Sequence, residues 1–204
     1  SNCIIISISG MSIPLADKSV VSKIFNLCFS SNLNVLYSFS LLFCDILLCN
    51  LEQEKSVIKN FLKSKGSNKL KDKVAIITGG DSGLGKACSI AYVKEGASVV
   101  IVYYNEDKDA NDTKNYIEKL GGNCLLIKGD ITNHDFCKKV VMNTLDTFGK
   151  IDILVNNAGV QYQQDKLENI SDEQFDYTMK VNIYGMFYLT KEVLQITKKY
   201  PLWY

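Results

Sequence analysis

From Val74 onward the chain alternates short apolar runs with longer stretches whose apolar residues recur every three or four positions. The runs are Lys73–Thr78, Ser98–Tyr103, Cys124–Lys128 and Ile151–Val155, most of them rich in Val and Ile. Short continuous runs of this kind suit strands buried on both faces of a parallel sheet. Between them, Lys86–Glu95, Asn105–Leu120 and Thr132–Phe148 read as helices. In the last, Phe136, Cys137, Val140, Val141, Leu145 and Phe148 fall on one face. Gly96, the pair Gly121-Gly122 and Gly149 stand where helices end, because glycine accepts the left-handed backbone that closes a helix. Ser171-Asp172-Glu173-Gln174 is a capping box and predicts a final helix running to about Lys198. The alternation predicts an α/β fold around a parallel sheet.

Residues 1–65 differ. Residues 1–50 are rich in Ile, Leu, Phe, Ser, Asn and Cys with few charges, and sustain neither helical nor strand periodicity. Residues 51–73 are charged and polar and read as a short helix followed by a flexible linker. The partition is therefore a hydrophobic or unstructured extension (1–65), the regular α/β domain (66–199) and a foreign-looking tail, Tyr200-Pro201-Leu202-Trp203-Tyr204. The most apolar segment, Leu33–Cys49, is shorter than the roughly 20 residues of a membrane helix and contains Asp45. Lys18 and Lys23 precede it. An unstructured or artefactual extension, a targeting or membrane segment beginning near Met11, and a packed accessory segment all stay open. The start at Ser1 and the odd tail are read as signs of a fragment. Its four strands would leave an open, apolar sheet edge.

The first strand leads into Gly79-Gly80-Asp81-Ser82-Gly83-Leu84-Gly85, and a helix and second strand follow. Glycines there permit positive φ and remove the Cβ that would block a phosphate. The unpaired N–H groups and positive dipole end of the following helix then favour an anion. A glycine-rich turn alone is weak evidence; strand before it and helix and strand after it strengthen the dinucleotide reading. The spacing is T-G-x-x-x-G-x-G, with Thr78, Gly79, Gly83 and Gly85 on the motif positions.

In that form the chain resembles the short-chain dehydrogenase/reductase family. The resemblance implies the N-terminal half of a Rossmann-type doubly wound parallel sheet, with residues 1–65 as a non-matching extension. It continues at Asp130-Ile131 after the third strand, where the family places an Asp near the adenine ring; Asp130 also suits a turn aspartate that caps the next helix. Asn156-Asn157-Ala158-Gly159 follows the fourth strand, where the family's tetrad steadies the sheet and lines the cofactor cleft. Lys180-Val181-Asn182 matches the helix that carries the family's catalytic Asn, which helps hold a water in a proton relay. Gly79–Leu84, Val102–Glu106 and Phe187–Lys191 look most like the glucose/ribitol dehydrogenase branch.

The resemblance thus implies NAD or NADP as cofactor, held by Thr78, Gly79, Asp81, Ser82, Gly83, Leu84, Gly85, Tyr103, Asp130, Ile131, Asn157, Ala158 and Gly159, with Asn182 catalytic. Tyr103 stands where an acid would accept the ribose 2′-hydroxyl and a base would take a 2′-phosphate. Glu106 and Asp107 come just after it, and the glycine loop holds no Arg or Lys, which leans the reading slightly to NAD. The reaction implied is hydride transfer between the nicotinamide and a small alcohol, sugar or carbonyl, in a homo-oligomer. The family's catalytic Ser and Tyr-x-x-x-Lys have no counterpart in these 204 residues, so the chain as given is expected to be inactive. The alternative is a nucleotide-binding or pseudogene-type fragment without activity. Tyr104–Lys108 is formally Y-x-x-x-K, but it follows the second strand, at the adenosine end. Tyr116, Tyr177 and Tyr188 precede a Lys by three residues and read as helix aromatics. Gln161–Asn169 is a candidate side wall for the substrate.

Charge and cysteines narrow the field further. A net charge of +1 argues against nucleic acid as partner. Seven irregularly spaced cysteines, no CxxC and one histidine, His134, argue against a metal site and for reduced thiols in a cytoplasmic protein.

Overall fold

The Val- and Ile-rich runs do form strands. The computed structural model of the chain describes residues 4–7 and 66–199; Leu33–Cys49, the helix expected after residue 51 and the tail 200–204 lie outside the described residues. The chain divides into Ser1–Met11 with Leu70–Tyr204, and Ser12–Lys69. The first unit holds the strands β1 (Ile4–Ser7), β2 (Val74–Thr78), β3 (Ser98–Tyr103), β4 (Cys124–Lys128) and β5 (Ile153–Asn156). It also holds the helices α1 (Gly83–Lys94), α2 (Asp107–Lys119), α3 (His134–Phe148), α4 (Asp172–Met179) and α5 (Met186–Lys199). The sheet runs β1-β5-β2-β3-β4, and every pairing is parallel.

Strand side chains alternate between faces, and both faces are covered. Ile76, Val100, Val102 and Leu154 pack with Cys137, Val140 and Val141 of α3 and Leu189 and Val193 of α5. Their neighbours Ile77, Val99, Ile101 and Val155 are as fully buried, and by alternation face the other way, where α1 packs on β2 and β3 and α2 on β4. Each such side chain contributes about 1.5–3 kcal/mol by leaving water. This is a doubly wound parallel sheet of the Rossmann type, and read from β4 to β5 its order is the 3-2-1-4 of that fold.

Three expectations change. The extension was expected to leave four strands, yet Ile4–Ser7 forms a fifth and pairs along β5, from Ile4 with Ile153 to Ser7 with Asn156. A run of three isoleucines is too short to show periodicity, which is why the pattern did not reveal it. The edge of β5 expected to lie open is therefore covered. Next, α1 begins at Gly83, inside the glycine loop, three residues ahead of the expected start. Last, the helix expected from Ser171 is interrupted: between α4 and α5 the backbone makes a π turn, Lys180–Gly185. The glycine stops hold, with φ of 91° at Gly96, 79° at Gly121 and 75° at Gly149. So does the capping box, in which the Ser171 hydroxyl accepts the Gln174 N–H and the Gln174 side chain accepts the Ser171 N–H.

At the amino end of the sheet, Asp152 is a buried carboxylate with three partners. It accepts the Val74 N–H at 2.9 Å and the ammonium groups of Lys73 and Lys150 at 3.2 and 3.3 Å. Burial pushes its pKa up, but the Val74 N–H and the two lysines outweigh burial and hold it below the usual carboxylate range.

Candidate cofactor site

A cleft opens at the carboxyl ends of β2, β3, β4 and β5, the place where this kind of sheet binds ligands. Its floor is short of side chains: Gly79, Gly129, Ala158 and Gly159 all line it. Gly79 has φ of +63° and sits against the Asn157 amide, where a Cβ would come within 3.0 Å of Nδ2. A Cβ on Gly85, six residues further, would collide with the Gly79 carbonyl oxygen. The two glycines are thus needed for different reasons, a left-handed backbone at one and close packing of helix on loop at the other.

Polar groups hold that loop from behind. The Ser89 hydroxyl of α1 donates to the Gly85 carbonyl at 2.8 Å, and the Thr113 hydroxyl of α2 donates to the Asp81 carbonyl at 2.8 Å. At the cleft edge α1 begins with Ser82 as N-cap, and the Ser82 side chain makes no capping bond. The first-turn N–H groups therefore keep the uncapped donors and positive dipole end that suit a diphosphate.

Thr78 and Asn157 join the ends of β2 and β5. The Thr78 Oγ1 accepts the N–H groups of Asn157 and Ala158, both at 3.0 Å. The Asn157 amide donates to the carbonyls of Thr78 and Gly79 at 3.0 and 3.1 Å. These four bonds fix the tetrad against the glycine loop, so the two motifs form one rigid surface.

The lining of the cleft is acidic. Asp81, Glu106 and Asp130 line it, together with Tyr103, Tyr104 and Asn105. Asp130 also accepts the Thr132 N–H at 2.8 Å, while the cap of α3 comes from Asn133, whose side chain accepts the Phe136 N–H. Its turn role and its place in the cleft coexist. The Tyr103 hydroxyl donates to Asp107 at 2.9 Å, and Lys128 pairs with the other oxygen of Asp107 at 2.5 Å. Burial and Asp107 push the Tyr103 phenol up, while Lys128 and Tyr103 hold the Asp107 carboxyl down.

Asn182 lies in the π turn, and its amide makes a two-point bond with the backbone of Val160. Oδ1 accepts the Val160 N–H at 2.8 Å and Nδ2 donates to the Val160 carbonyl at 2.9 Å. Val160 directly follows the tetrad and lines the cleft.

The model of the family described as short chain dehydrogenase matches residues 73–200. The chain belongs to the short chain dehydrogenase family. It is 47% identical to general stress protein 39 of Bacillus subtilis over 147 residues, which cover 72% of this chain and 51% of that protein. Glucose and ribitol dehydrogenase of Daucus carota is 38% identical over 137 residues, 64% of this chain and 47% of the relative. Among solved structures, the 3-ketoacyl-(acyl-carrier-protein) reductase from Brucella melitensis complexed with NADH aligns with a TM-score of 0.60 and 34% identity, over 64% of this chain and 52% of that one. The chain spans about half the length of these curated relatives.

Of the residues the family resemblance implied, Gly79, Asp81, Ser82, Tyr103, Asp130, Ile131, Asn157, Ala158 and Gly159 line the cleft. Thr78, Gly83, Leu84, Gly85 and Asn182 stand outside that lining; Thr78, Gly85 and Asn182 shape it from behind through the contacts given above. Sequence reading missed Val102, Gly129, Val160, Tyr177 and Val181, and named Tyr104, Asn105 and Glu106 only as neighbours of Tyr103. Gly129, with φ of 159°, was the one with a local signal: a glycine between a strand end and an aspartate. Gln161–Asn169, expected beside the substrate and not beside the cofactor, stands outside the lining of this cleft. Among the described residues no cluster of His, Cys, Asp and Glu could hold a metal, and no helix is long and apolar enough to cross a membrane.

Proposed function

We propose that this chain provides the dinucleotide-binding part of an NAD(P)-dependent oxidoreductase that moves a hydride between the nicotinamide and a small alcohol, sugar or carbonyl. The observation that carries the reading is the welded pair of motifs: Thr78 and Asn157 lock the tetrad onto a glycine loop whose backbone a side chain would obstruct. The bound nicotinamide would supply the hydride chemistry. Gly79, Asp81, Ser82, Gly83, Leu84 and Gly85 take the diphosphate side, where backbone donors and an open floor accept an anion. Tyr103, Asp130 and Ile131 take the adenosine, and Asn157, Ala158 and Gly159 the central part.

Asn182 is the catalytic residue of this reading. Its amide holds Val160, which lines the cleft, and in this reading it takes the family's part in holding a water of the proton relay. NAD is favoured over NADP: Asp81, Glu106 and Asp130 line the cleft, no lysine does, and the chain contains no arginine to grip a 2′-phosphate. The exposed Ile183, Phe187 and Leu194 support a homo-oligomer through α5 and the π turn. The free thiols Cys88, Cys124 and Cys137 support a cytoplasmic setting.

Residues 1–204 by themselves are expected to bind the cofactor without turnover, because among the described residues no Ser and Tyr-x-x-x-Lys follow the tetrad in the family's order. Titration with NADH, followed by nicotinamide fluorescence, is expected to saturate at one site per chain. Incubation with NADH and a panel of small aldehydes and sugars is expected to leave the nicotinamide absorbance unchanged. Failure of NADH and NADPH alike to bind the folded chain would overturn the reading, and steady oxidation of NADH would overturn its second part.

A further inference from the structure

We infer that Asp107 is the specificity-determining residue for the phosphate state of the cofactor, acting by holding Lys128 neutralised at the adenosine end of the cleft. The inference rests on the dinucleotide reading of that cleft.

Tyr103 and Lys128 are register partners at the ends of β3 and β4, and Tyr103 lines the cleft. Residues 129–131, directly after Lys128, line the cleft, as do residues 102–106 directly before Asp107. One oxygen of Asp107 takes the Tyr103 hydroxyl and the other takes the Lys128 ammonium, so both oxygens are engaged. Tyr103 is buried and fixed by its strand, which anchors a carboxylate that would otherwise swing in water. Discrimination at this end of such folds is electrostatic: an acid repels a 2′-phosphate and a base attracts it. Here a base stands at the end of the neighbouring strand β4, and its charge is paired with Asp107.

Removing the Asp107 charge would leave an uncompensated cation directly next in sequence to the cleft-lining residues 129–131, where it would attract a 2′-phosphate. A lysine is a flexible point charge, so it needs no fixed fork geometry to make that contact. Lys128 is half exposed and free to turn once its partner is gone.

The test uses the full chain and two probes, NADH and NADPH, with dissociation constants for both from nicotinamide fluorescence. Wild type is expected to bind NADH more tightly. Asp107→Asn is expected to move the NADH-to-NADPH preference at least tenfold toward NADPH, and Asp107→Asn with Lys128→Ala to return it to near the wild-type ratio. Lys128→Ala alone is expected to move the ratio further toward NADH, since it leaves the Asp107 carboxylate uncompensated; as it keeps Asp107 and the fold in place, it serves if Asp107→Asn proves unstable. An Asp107→Asn protein that binds both nucleotides with an unchanged ratio overturns the inference but leaves the cofactor reading intact. So does an unchanged ratio in Lys128→Ala. Absence of binding by wild type to either nucleotide overturns the cofactor reading and this inference with it.

Discussion

Asp152 shows how much one side chain can fix. Its carboxylate joins the start of β2 to the segment entering β5 through the Val74 N–H, and two lysines balance its charge. Its folded pKa lies below the unfolded value near 3.9, so its contribution is fully present above that value and is lost as pH falls through the folded one. Asp152→Asn is expected to lower stability by about 1–3 kcal/mol at neutral pH. It should also flatten the loss of stability below about pH 4. Urea unfolding at pH 7 and pH 3 checks both, and an equal loss at the two pH values would contradict the ionic account. At this scale the motif glycines were readable because their chemistry is local: a phosphate needs bare backbone, and a turn needs positive φ. Tyr177 was not readable. It lines the cleft only because α4 lies over the strand ends, which no spacing of Tyr and Lys within one helix encodes.

Among the elements, the strands and helix stops followed directly from pattern, since β3 and β4 are short apolar runs that each begin just after a glycine helix stop. The π turn did not. It adds one residue per turn where Asn182 must reach Val160, 22 residues back, and helical periodicity on either side stays normal. Asn182→Ala is expected to cost about 1–3 kcal/mol by leaving the Val160 N–H and carbonyl without their partners. It should also weaken NADH binding several-fold, because Val160 borders the tetrad. Calorimetric titration with NADH and a parallel thermal melt measure the two effects. A variant with wild-type affinity and melting temperature would remove the positioning role.

For the molecule as a whole, two covered sheet faces and one polar rim separate the tasks of folding and binding. The buried thiols belong to the first task. Burial pushes Cys88, Cys124 and Cys137 up to about 12, so thiolate is scarce at neutral pH. Iodoacetamide at pH 8 is expected to leave Cys88 and Cys137 unmodified in the folded protein and to label both in 6 M guanidinium, as read by peptide mass mapping. Rapid labelling of either in the native state would show that the core opens. The strand added by Ile4–Ser7 has a further consequence, one of time. Its partner β5 lies about 150 residues along the chain, so the pairing depends on the most distant contact in the sheet. Closing so large a loop adds little cost in equilibrium but delays formation, since local βαβ units assemble while the ends are still apart. The strand first in sequence is thus expected to gain amide protection last during refolding, and the edge of β5 stands unpaired for as long as that takes.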